Sequence, residues 1–571
     1  MSEQTTPVFC PKLAAPDAEQ GNWSCTIWMP LLLALVVGVA FLGTRGLTET
    51  SETRYAECAR EMLVTGNWLE PQLEFQPHWT KPPMAYWCMA AGMKVFGANA
   101  WGARLPGVLA LLVATWGVVA LGRRLWGGRA GLAAGIAFAL GFPLFGAYVV
   151  TTDIYLTAAE TLAGMSFVFS ALEPDAAKKR RWACAMWAAW GLAFLIKGPP
   201  GLLPLLAMIP WNLLQPRERR VPLAHPLGLA CFAAVAMPWY LLMLHRHPNL
   251  LEYYVGTEIV GRVSTDLGHN RAWYKAIEIY GPALLGSCGA FGVWAAWVAF
   301  ARGGWARGER WRELWRARDA RLLLVGWVVL PMVVFCLSRS KLHLYILPLV
   351  APLALIAGRL LANWVSWRAL RNVALASALV FVAVKGVAGH ASLMEVRINA
   401  IGRWLVSKDT GVAPARWLDR QIRKTGESLS QAGLTRRDMR VLGQAVAAAR
   451  AELPADAPIV LWDEAVNHGV TFYLALDRTN LPERVAVGEK GKFEHWSPAE
   501  LLGRYEAGTY ARGALLVVAR EKAESAAFAP LRARLALIES GFSTRHWSLL
   551  RLDAAHPVTP SPATPETPRG G

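Results

Sequence analysis

The chain has 571 residues, of which 54% are hydrophobic, and its mean hydropathy is +0.28. This composition argues against a soluble globular protein and against a disordered chain. The formal net charge of +18 is typical of nucleic-acid-binding proteins, but much of the excess lies in short loops between apolar segments. Positive charge in such loops sets membrane topology, so we expect no nucleic acid among the partners.

Apolar segments follow one another from residue 27 to residue 388, each about as long as a membrane helix, which needs roughly 20 residues. The eleven predicted spans are 27–44, 104–122, 130–149, 155–172, 182–199, 200–215, 226–244, 281–301, 321–337, 344–362 and 370–388. The basic loops between them are 123–129, 178–181, 217–220, 302–321 and 368–371. Because positive loops stay in the cytoplasm, we expect the N-terminus there and the other loops on the outer face.

Two predicted outer loops, 45–103 and 245–280, are too long to be simple connectors. The first contains candidate amphipathic helices at 53–64 and 83–97, which would lie along the membrane surface. An extended stretch rich in Gly, Pro and aromatic residues, 66–82, separates them.

After the last span the composition changes. Strand-like stretches at 457–462, 513–519 and 546–552 alternate with helical ones at 498–506, with Ser497 as the N-cap, and at 521–539, broken near Pro530. The predicted fold class is a mainly α integral membrane protein with about 11 transmembrane helices and a C-terminal α/β domain on the outer face. The predicted domains are a cytoplasmic tail 1–26, a membrane domain 27–389, the α/β domain 390–555 and a disordered tail 556–571 rich in Pro, Thr and Gly.

Two acids of the predicted outer face, Glu52 and Asp153, are the candidate catalytic residues. A carboxylate beside a cavity can act as a general base on an acceptor group. For Glu52 the alternative is a helix-capping carboxylate, which stabilises by roughly 0.3–1 kcal/mol. Asp153 lies at a span edge, where an acid is costly unless it is paired or faces water, and an ordinary interfacial acid is the alternative.

Basic side chains also gather at predicted outer span ends, against the usual charge bias. A membrane-borne anion such as a lipid phosphate explains them, because Arg makes bidentate contacts to phosphate and Lys offers a compact charge. The candidate phosphate-binding residues are Lys81, Arg54, Lys197, Arg262, Arg339, Lys341 and Tyr345. Further polar candidates, at the acceptor or elsewhere in the site, are Glu49, Glu258 and His343. Ordinary headgroup contact is the alternative for the basic set.

At this point a family resemblance becomes visible in seven pieces of sequence that occur in order. They are ETRYAECAREMLVTGNWLEPQLE, KPPMAYW, FGANAWGARLPGVL, the segment around Asp153, IKGPPG with MIPW, PWYLLMLHRHPNLLEYYVGTEIVGRV, and SRSKLHLYILPL. The chain resembles the GT-C glycosyltransferases that take sugar from a polyprenyl phosphate, above all the bacterial lipid A aminoarabinose transferases and their protein-mannosyltransferase-like relatives. The likeness covers the membrane part and is vaguer in the C-terminal part.

The resemblance implies an undecaprenyl-phosphate-sugar donor and an inverting transfer on the periplasmic face of a bacterial inner membrane. It places three residues beside the donor phosphate, namely Lys81, Lys341 and Tyr345. Asp153 matches the family's second acid, and Arg54 and Glu258 fall on further family positions. The expected partners are this donor, a lipid, glycan or protein acceptor, and membrane lipids, with the protein a monomer.

The chain departs from the family at two positions. The residue usually favoured as the catalytic Asp is Ser51 here, and a serine hydroxyl is unactivated without a partner. Glu52, Glu49 or Asp153 takes over that role, or activity is altered. Thr80 stands where the aminoarabinose transferases carry a Glu that can hold a metal, so we assign no metal ligand and no certain cofactor. This second departure also argues for another sugar or acceptor.

Two alternatives to a transferase remain. A carrier or flippase for lipid-linked sugars would use the same partners, although transporters often show internal repeats that are not evident here. A degenerate family member that binds lipid-linked sugar without turnover is made plausible by Ser51. Cys58 and Cys88 both fall in the first outer loop, where they can pair in a disulfide or remain as two free thiols.

Overall fold

The computed structural model describes residues 28–49, 51–256, 274–301, 319–407, 438–462, 468–486, 495–526, 528–535, 537–544 and 546–552. Contacts divide the chain into two compact units, one made of Met1–Arg45 with Cys58–His390 and the other of Gly46–Glu57 with Ala391–Gly571. The predicted domains differ from this division at 46–57, which group with the C-terminal residues. Both predicted tails lie outside the described residues.

The first unit is helical. Its helices, with α2 and α16 shared between the units, are α1 Met29–Val39, α2 Ser51–Thr65, α3 Met84–Phe96, α4 Ala100–Trp126, α5 Gly128–Ala139, α6 Phe142–Tyr148, α7 Asp153–Leu172, α8 Ala176–Lys197, α9 Leu205–Leu214, α10 Pro226–Arg246, α11 Leu250–Glu252, α12 Lys275–Leu285, α13 Gly289–Ala301, α14 Ala320–Leu337, α15 Val350–Trp364 and α16 Trp367–Ser407. Short 3-10 helices at Pro199–Leu202, Arg217–Arg219 and His343–Leu349 complete it.

Within the described residues, six helices are long and apolar enough to cross a membrane, or up to eight if each of two bent pairs is one span. The predicted total of eleven remains a prediction. The first predicted span, 27–44, contains only an 11-residue helix, α1, within the described residues. Another, α8, begins with four basic residues, 178–181, which lower its hydropathy.

The two bent pairs meet at their breaks. Helices α5 and α6 form an angle of 47°, and α12 and α13 an angle of 93°. Phe142 N donates to Ser287 O at 2.9 Å, which joins one break to the other. A Cβ on Gly141 would lie 2.2 Å from that same oxygen, so only glycine permits the approach. The uninterrupted apolar run predicted as one span at 130–149 therefore bends where a second chain segment supplies the hydrogen bond.

Both helices predicted in the first loop form, as α2 and α3. Between them lies a small hairpin of β1 Gln72–Leu73 and β2 Gln76–Pro77. Its turn residues Glu74 and Phe75 have φ of 55° and 59°, in the left-handed region. The buried Glu61 carboxylate accepts from both turn amides, at 2.6 and 2.8 Å. A carboxylate of α2 therefore fixes the turn that leads to Lys81.

The second unit contains a five-stranded sheet of order β4-β3-β5-β7-β6. Its elements are α17 Met439–Arg450, β3 Ile459–Trp462, α18 His468–Tyr473, β4 Glu483–Val485, α19 Pro498–Glu506, β5 Ala514–Ala519, α20 Arg520–Ala523, α21 Ala529–Arg534, β6 Leu537–Glu539 and β7 Trp547–Leu552. Strands β4, β3 and β5 are parallel, and β7 and β6 are antiparallel to their neighbours. The α/β character predicted for this region is what the described residues show.

Local signals in this unit predicted most elements. The strands expected at 457–462, 513–519 and 546–552 are β3, β5 and β7, and Ser497 caps α19 in a capping box with Glu500. The helix expected over 521–539 with a break near Pro530 forms two helices, α20 and α21, and the prediction was wrong at its end, because Leu537–Glu539 forms strand β6. Pairing with β7 overrides helical propensity there.

Residues 46–49 are attached to the second unit by long-range hydrogen bonds. Gly46 N donates to Asp438 Oδ2 at 3.1 Å, and Leu47 N donates to Tyr473 Oη at 2.7 Å. A short bridge pairs Thr48 with Asp438. These contacts explain why the segment groups with residues almost four hundred positions away, which no local pattern could indicate.

Tight helix packing in the membrane unit provides a test of this fold. A Cβ added to Gly358 of α15 would lie 2.4–2.6 Å from the backbone N, Cα and Cβ of Ala134. Small residues let membrane helices approach this closely, so Gly358→Ala should destabilise by about 1–3 kcal/mol through overpacking. Thermal unfolding in detergent measures the loss. The control Gly128→Ala meets nothing within 4 Å, and equal unfolding midpoints for the two variants would contradict the α5–α15 packing.

Candidate functional site

A buried ion pair joins two of the predicted site residues. Asp153 is the first residue of α7 and Lys197 is the last residue of α8, and Lys197 Nζ pairs with Asp153 Oδ1. The two side chains are only 9% and 11% exposed. Each charge also suits its helix end, because an acid is favoured at an N-terminus and a cation at a C-terminus. The pairing offsets part of the cost that an isolated buried acid would have in an apolar setting.

The sequence after Lys197 explains why α8 ends there. Gly198 has φ +68°, a left-handed conformation that favours glycine, and its amide closes the helix on Phe194 O at 2.7 Å. Pro199 and Pro200 follow in a 3-10 turn and cannot continue the α-helical hydrogen bonding. The IKGPPG motif thus places the ammonium group at a fixed helix terminus.

Tyr345 belongs to the same cluster. Lys197 Nζ lies 4.5 Å from the centre of its ring, within the range of a cation–π contact. The Tyr345 hydroxyl lies 3.5 Å from Ser340 Oγ, at the outer limit of a hydrogen bond. A lysine, an acid and a phenol are therefore assembled from three separate stretches of chain.

Glu160 is a site neighbour that the sequence analysis missed. It is 3% exposed and lines a small cavity of about 10 Å³ together with Lys197 and Tyr345. That volume is room for about one water molecule. The available signal was its spacing, because Glu160 follows Asp153 by seven residues on α7, two helical turns along the same face. A second acid inside an apolar helix is costly unless it is paired or faces water, and Glu160 lies at a cavity beside Lys197.

Lys81 lies on the loop that leads into α3. Its Nζ donates to Thr80 O at 2.6 Å. The residues on either side, Trp79 and Met84, pack in one apolar cluster with Leu195 of α8. The structure thus brings the loop of Lys81 against the end of the helix that carries Lys197.

The basic strip 339–345 divides between two cavities. Lys341 is 1% exposed, donates to Ser338 O, and lines a cavity of about 580 Å³ that His343 also lines. Burial lowers the pKa of Lys341. Arg339 is exposed. The residues of this strip do not share one cleft, because the chain enters a 3-10 turn at His343, so Tyr345 and Lys341 line different cavities.

The two candidate acids of the first loop, Glu52 and Glu49, lie in the second unit. Glu52 is fully buried, and its Oε2 accepts from Thr48 N at 2.9 Å and from Thr48 Oγ1 at 2.7 Å, which is a capping contact. Glu49 accepts from Gly469 N at 2.9 Å. Burial raises the pKa of Glu49, and the nearby His468 opposes that rise. The Arg54 guanidinium lies 5.2 Å from the ring of Tyr55.

Three further predictions concern the candidates Glu258 and Arg262, a metal site and a disulfide. Glu258 and Arg262 lie outside the described residues. His78 Nε2 and Thr80 Oγ1 are 2.7 Å apart and occupy each other, and the described residues contain no group of three or more His, Cys, Asp or Glu that could hold a metal ion. Cys58 and Cys88, both among the described residues, are not joined by a disulfide.

The Asp153–Lys197 pair can be tested by its effect on stability. Removing one partner of a buried pair leaves an uncompensated charge and costs about 3–5 kcal/mol, whereas replacing both partners is often neutral. Lys197→Met should therefore lower the unfolding midpoint in detergent, and Asp153→Asn combined with Lys197→Met should recover most of it. Lys178→Met, at an exposed position of the same helix, is the control. A double variant no more stable than Lys197→Met would contradict the pairing.

Comparison with known proteins bears on the family resemblance seen in the sequence. Residues 80–241 match the family model described as Dolichyl-phosphate-mannose-protein mannosyltransferase. The undecaprenyl phosphate-alpha-4-amino-4-deoxy-L-arabinose arabinosyl transferase of Enterobacter sp. (strain 638) is 30% identical over 321 residues, 55% of this chain and 55% of that protein. The enzyme of that name numbered 2 in Pseudomonas fluorescens (strain Pf0-1) is 31% identical over 348 residues, 59% of this chain and 60% of that protein. The chain thus spans little more than half the length of these relatives.

Solved structures extend the likeness over almost the whole chain. ArnT from Cupriavidus metallidurans, in its crystal structure bound to undecaprenyl phosphate, superposes with a TM-score of 0.65 at 22% identity, covering 93% of this chain and 98% of that chain. Its apo crystal structure gives a TM-score of 0.65 at 21% identity with the same coverage. At this identity the likeness establishes the fold. The predicted resemblance is thereby confirmed, and the chain is a multi-pass membrane protein of the GT-C fold, similar in sequence to the aminoarabinose transferases.

Proposed function

We propose that this protein is an integral membrane glycosyltransferase. It moves a sugar from an undecaprenyl-phosphate-type lipid to an acceptor, which is lipid A, another glycan or a protein, on the periplasmic face of the inner membrane. The observation that carries the proposal is the buried Asp153–Lys197 pair beside Tyr345, in a chain similar to proteins named as transferases that use such a lipid. The ArnT structure bound to undecaprenyl phosphate supports the choice of lipid.

The chemistry needs a base for the acceptor and cations for the leaving group. An acceptor hydroxyl oxygen forms a bond to the anomeric carbon, while the bond from that carbon to the lipid phosphate breaks. The hydroxyl proton passes to a carboxylate, and the phosphate keeps the electron pair. Positive groups that face the departing phosphate lower the barrier because charge grows there during the step. Lys81 and Lys197 supply that charge, and the Tyr345 hydroxyl supplies a donor.

The base is Glu52 or Asp153, and each has a second task. Asp153 balances the charge of Lys197, so the phosphate competes with this carboxylate for the ammonium group. Glu52 caps the start of α2 through Thr48. A general base must reach its proton within hydrogen-bond distance, although such contacts often tighten only when substrate is bound. No step is assigned to a metal, because His78 and Thr80 do not form a ligand set.

A second candidate function follows from one residue. Ser51 occupies the position where the resembled family usually has its favoured acid, and it cannot act as a carboxylate base. A protein that binds the lipid-linked sugar without transferring it would retain the cations and lose only the base. Turnover by the purified protein separates the two functions.

The donor assignment is tested in membranes of a deletion strain, where the unused lipid-linked sugar should accumulate. Wild-type protein supplied in trans should clear that lipid. Lys81→Ala should insert normally and fail to clear it, because the phosphate loses a point charge in a restricted loop. Lys94→Ala, an exposed lysine of α3, should behave as wild type. Clearance by Lys81→Ala at the wild-type rate would remove Lys81 from the donor site.

The role of Glu52 as the base is tested by an isosteric substitution that keeps its capping contact with Thr48. In Glu52→Gln the amide oxygen can still accept from both donors of Thr48, so the unfolding temperature should stay that of wild type. If Glu52 is the base, the transfer rate should fall by at least ~100-fold, the usual scale of general-base loss. Glu52→Ala should lose the rate and also stability. A Glu52→Gln protein with full rate would move the role to Asp153, where Asp153→Asn is the matching variant.

A further inference from the structure

Three successive residues of the first loop, 68–70, each accept a hydrogen bond from a tryptophan indole. The bonds run from Trp87 Nε1 to Trp68 O at 2.6 Å, from Trp239 Nε1 to Leu69 O at 2.7 Å and from Trp79 Nε1 to Glu70 Oε1 at 3.0 Å. The three donors belong to α3, to α10 and to the loop before α3. An indole N–H is a donor only, so it needs an acceptor wherever it is withdrawn from water. The segment 68–70 is therefore tied to three separate parts of the chain.

Glu70 differs from its two neighbours because it accepts with its side chain. Its Oε1 also lies 2.9 Å from His247 Nε2, and the side chains of Glu70 and His247 are only 14% and 30% exposed. A neutral imidazole with its proton on Nε2 donates to the carboxylate, and a protonated one does so with added charge attraction. The rings of Trp79 and His247 have their centres 4.9 Å apart. Glu70, Trp79 and His247 thus form a closed triangle in which each side chain contacts the other two.

One corner of this triangle is fixed to the end of a helix. His247 directly follows α10, and its amide closes that helix on Met243 O at 2.8 Å. Met243 is fully buried and packs in the same apolar cluster as Leu195, which lies near the end of α8. Glu70 therefore connects the first loop to a well-packed part of the membrane unit.

The triangle lies two residues before Lys81. Trp79 and Met84 pack in one apolar cluster, so the four residues between them, 80–83, are anchored at both ends. The two prolines that follow Lys81 have a fixed φ, and the first of them also restricts the backbone of the lysine. A segment this short and stiff transmits a shift of Trp79 to Lys81. Because Glu70 orients the indole of Trp79, the position of the lysine depends on that carboxylate.

Stability does not account for an acid at this position. A partly exposed ion pair contributes little to stability, and the apolar cluster already holds the ring of Trp79. Apolar contact is non-directional, whereas a hydrogen bond weakens steeply when its angle changes. What Glu70 adds is therefore one defined orientation of the indole.

We infer that Glu70 is a positioning residue for Lys81. Through Trp79 and His247 it holds the loop before α3 against the end of α10, and so fixes where the ammonium group of Lys81 meets the donor phosphate. The inference rests on the proposed function, which assigns Lys81 to that phosphate. It adds a residue that acts on the donor only through the lysine.

The inference is tested by the affinity for undecaprenyl phosphate in lipid nanodiscs. Glu70→Ala removes the acceptor of both Trp79 and His247, whereas Glu70→Gln keeps an Oε1 that accepts from both. Trp79→Phe removes only the indole N–H and leaves an aromatic ring in the cluster. Glu252→Ala, at an exposed glutamate of the same unit, is the control. Unfolding temperatures confirm that each variant is folded.

Glu70→Ala and Trp79→Phe should each weaken binding by at least ~3-fold, the scale of a coupling between residues in contact. Glu70→Gln and Glu252→Ala should bind as wild type, because both keep the oriented indole. In a Lys81→Ala background, Glu70→Ala should cause no further loss, because its effect passes through the lysine.

Wild-type affinity in folded Glu70→Ala would overturn the inference, and if that variant does not fold, Trp79→Phe decides in the same way. An equal loss from Glu70→Ala with and without Lys81 would also overturn it, because the effect would then be independent of the lysine. A Lys81→Ala protein that binds as tightly as wild type has a different meaning. It would remove Lys81 from the donor site and overturn the part of the proposed function on which the inference rests.

Discussion

The candidate site depends on one electrostatic constraint, a charge pair held at the start of α7 and the end of α8. Asp153 and Lys197 are each expensive in an apolar setting, and together they are tolerated because each compensates the other. The helix termini, the left-handed Gly198 and the Tyr345 ring all hold the lysine in one place. In the proposed function, this cation meets an anion that arrives from the bilayer. The energetic cost of burying the pair is a reason to connect it with function.

One stretch of chain, residues 341–345, lines two different cavities. Residues 341–343 line the larger cavity, and Tyr345 lines the smaller one beside Lys197. The larger is lined by residues of α6 and α12 as well, whereas the smaller has space for about one water and is lined by Glu160 and Lys197 among apolar residues.

Residues with an unusual local setting could be predicted from the sequence, and residues placed by distant contacts could not. Asp153 and Lys197 stood out because charges at the ends of apolar runs are rare. Glu160 escaped notice because an acid within a span leaves no motif around it. The attachment of 46–49 to the second unit depends on Asp438 and Tyr473, and hydrogen bonds over such a separation follow from no local pattern. Glu61 was missed for a related reason, since its task is to accept from two turn amides in another segment.

The most direct test of the central claim is the affinity of a charge-free version of the pair for undecaprenyl phosphate. A protein carrying both Asp153→Asn and Lys197→Met loses both charges of the pair together, so neither partner is left unpaired and a change in binding reports on the phosphate contact. The account predicts affinity at least ~10-fold below that of wild type, the scale expected when a cation that contacts an anion is removed. Unchanged affinity in a folded double variant would contradict the claim that this pair receives the lipid phosphate.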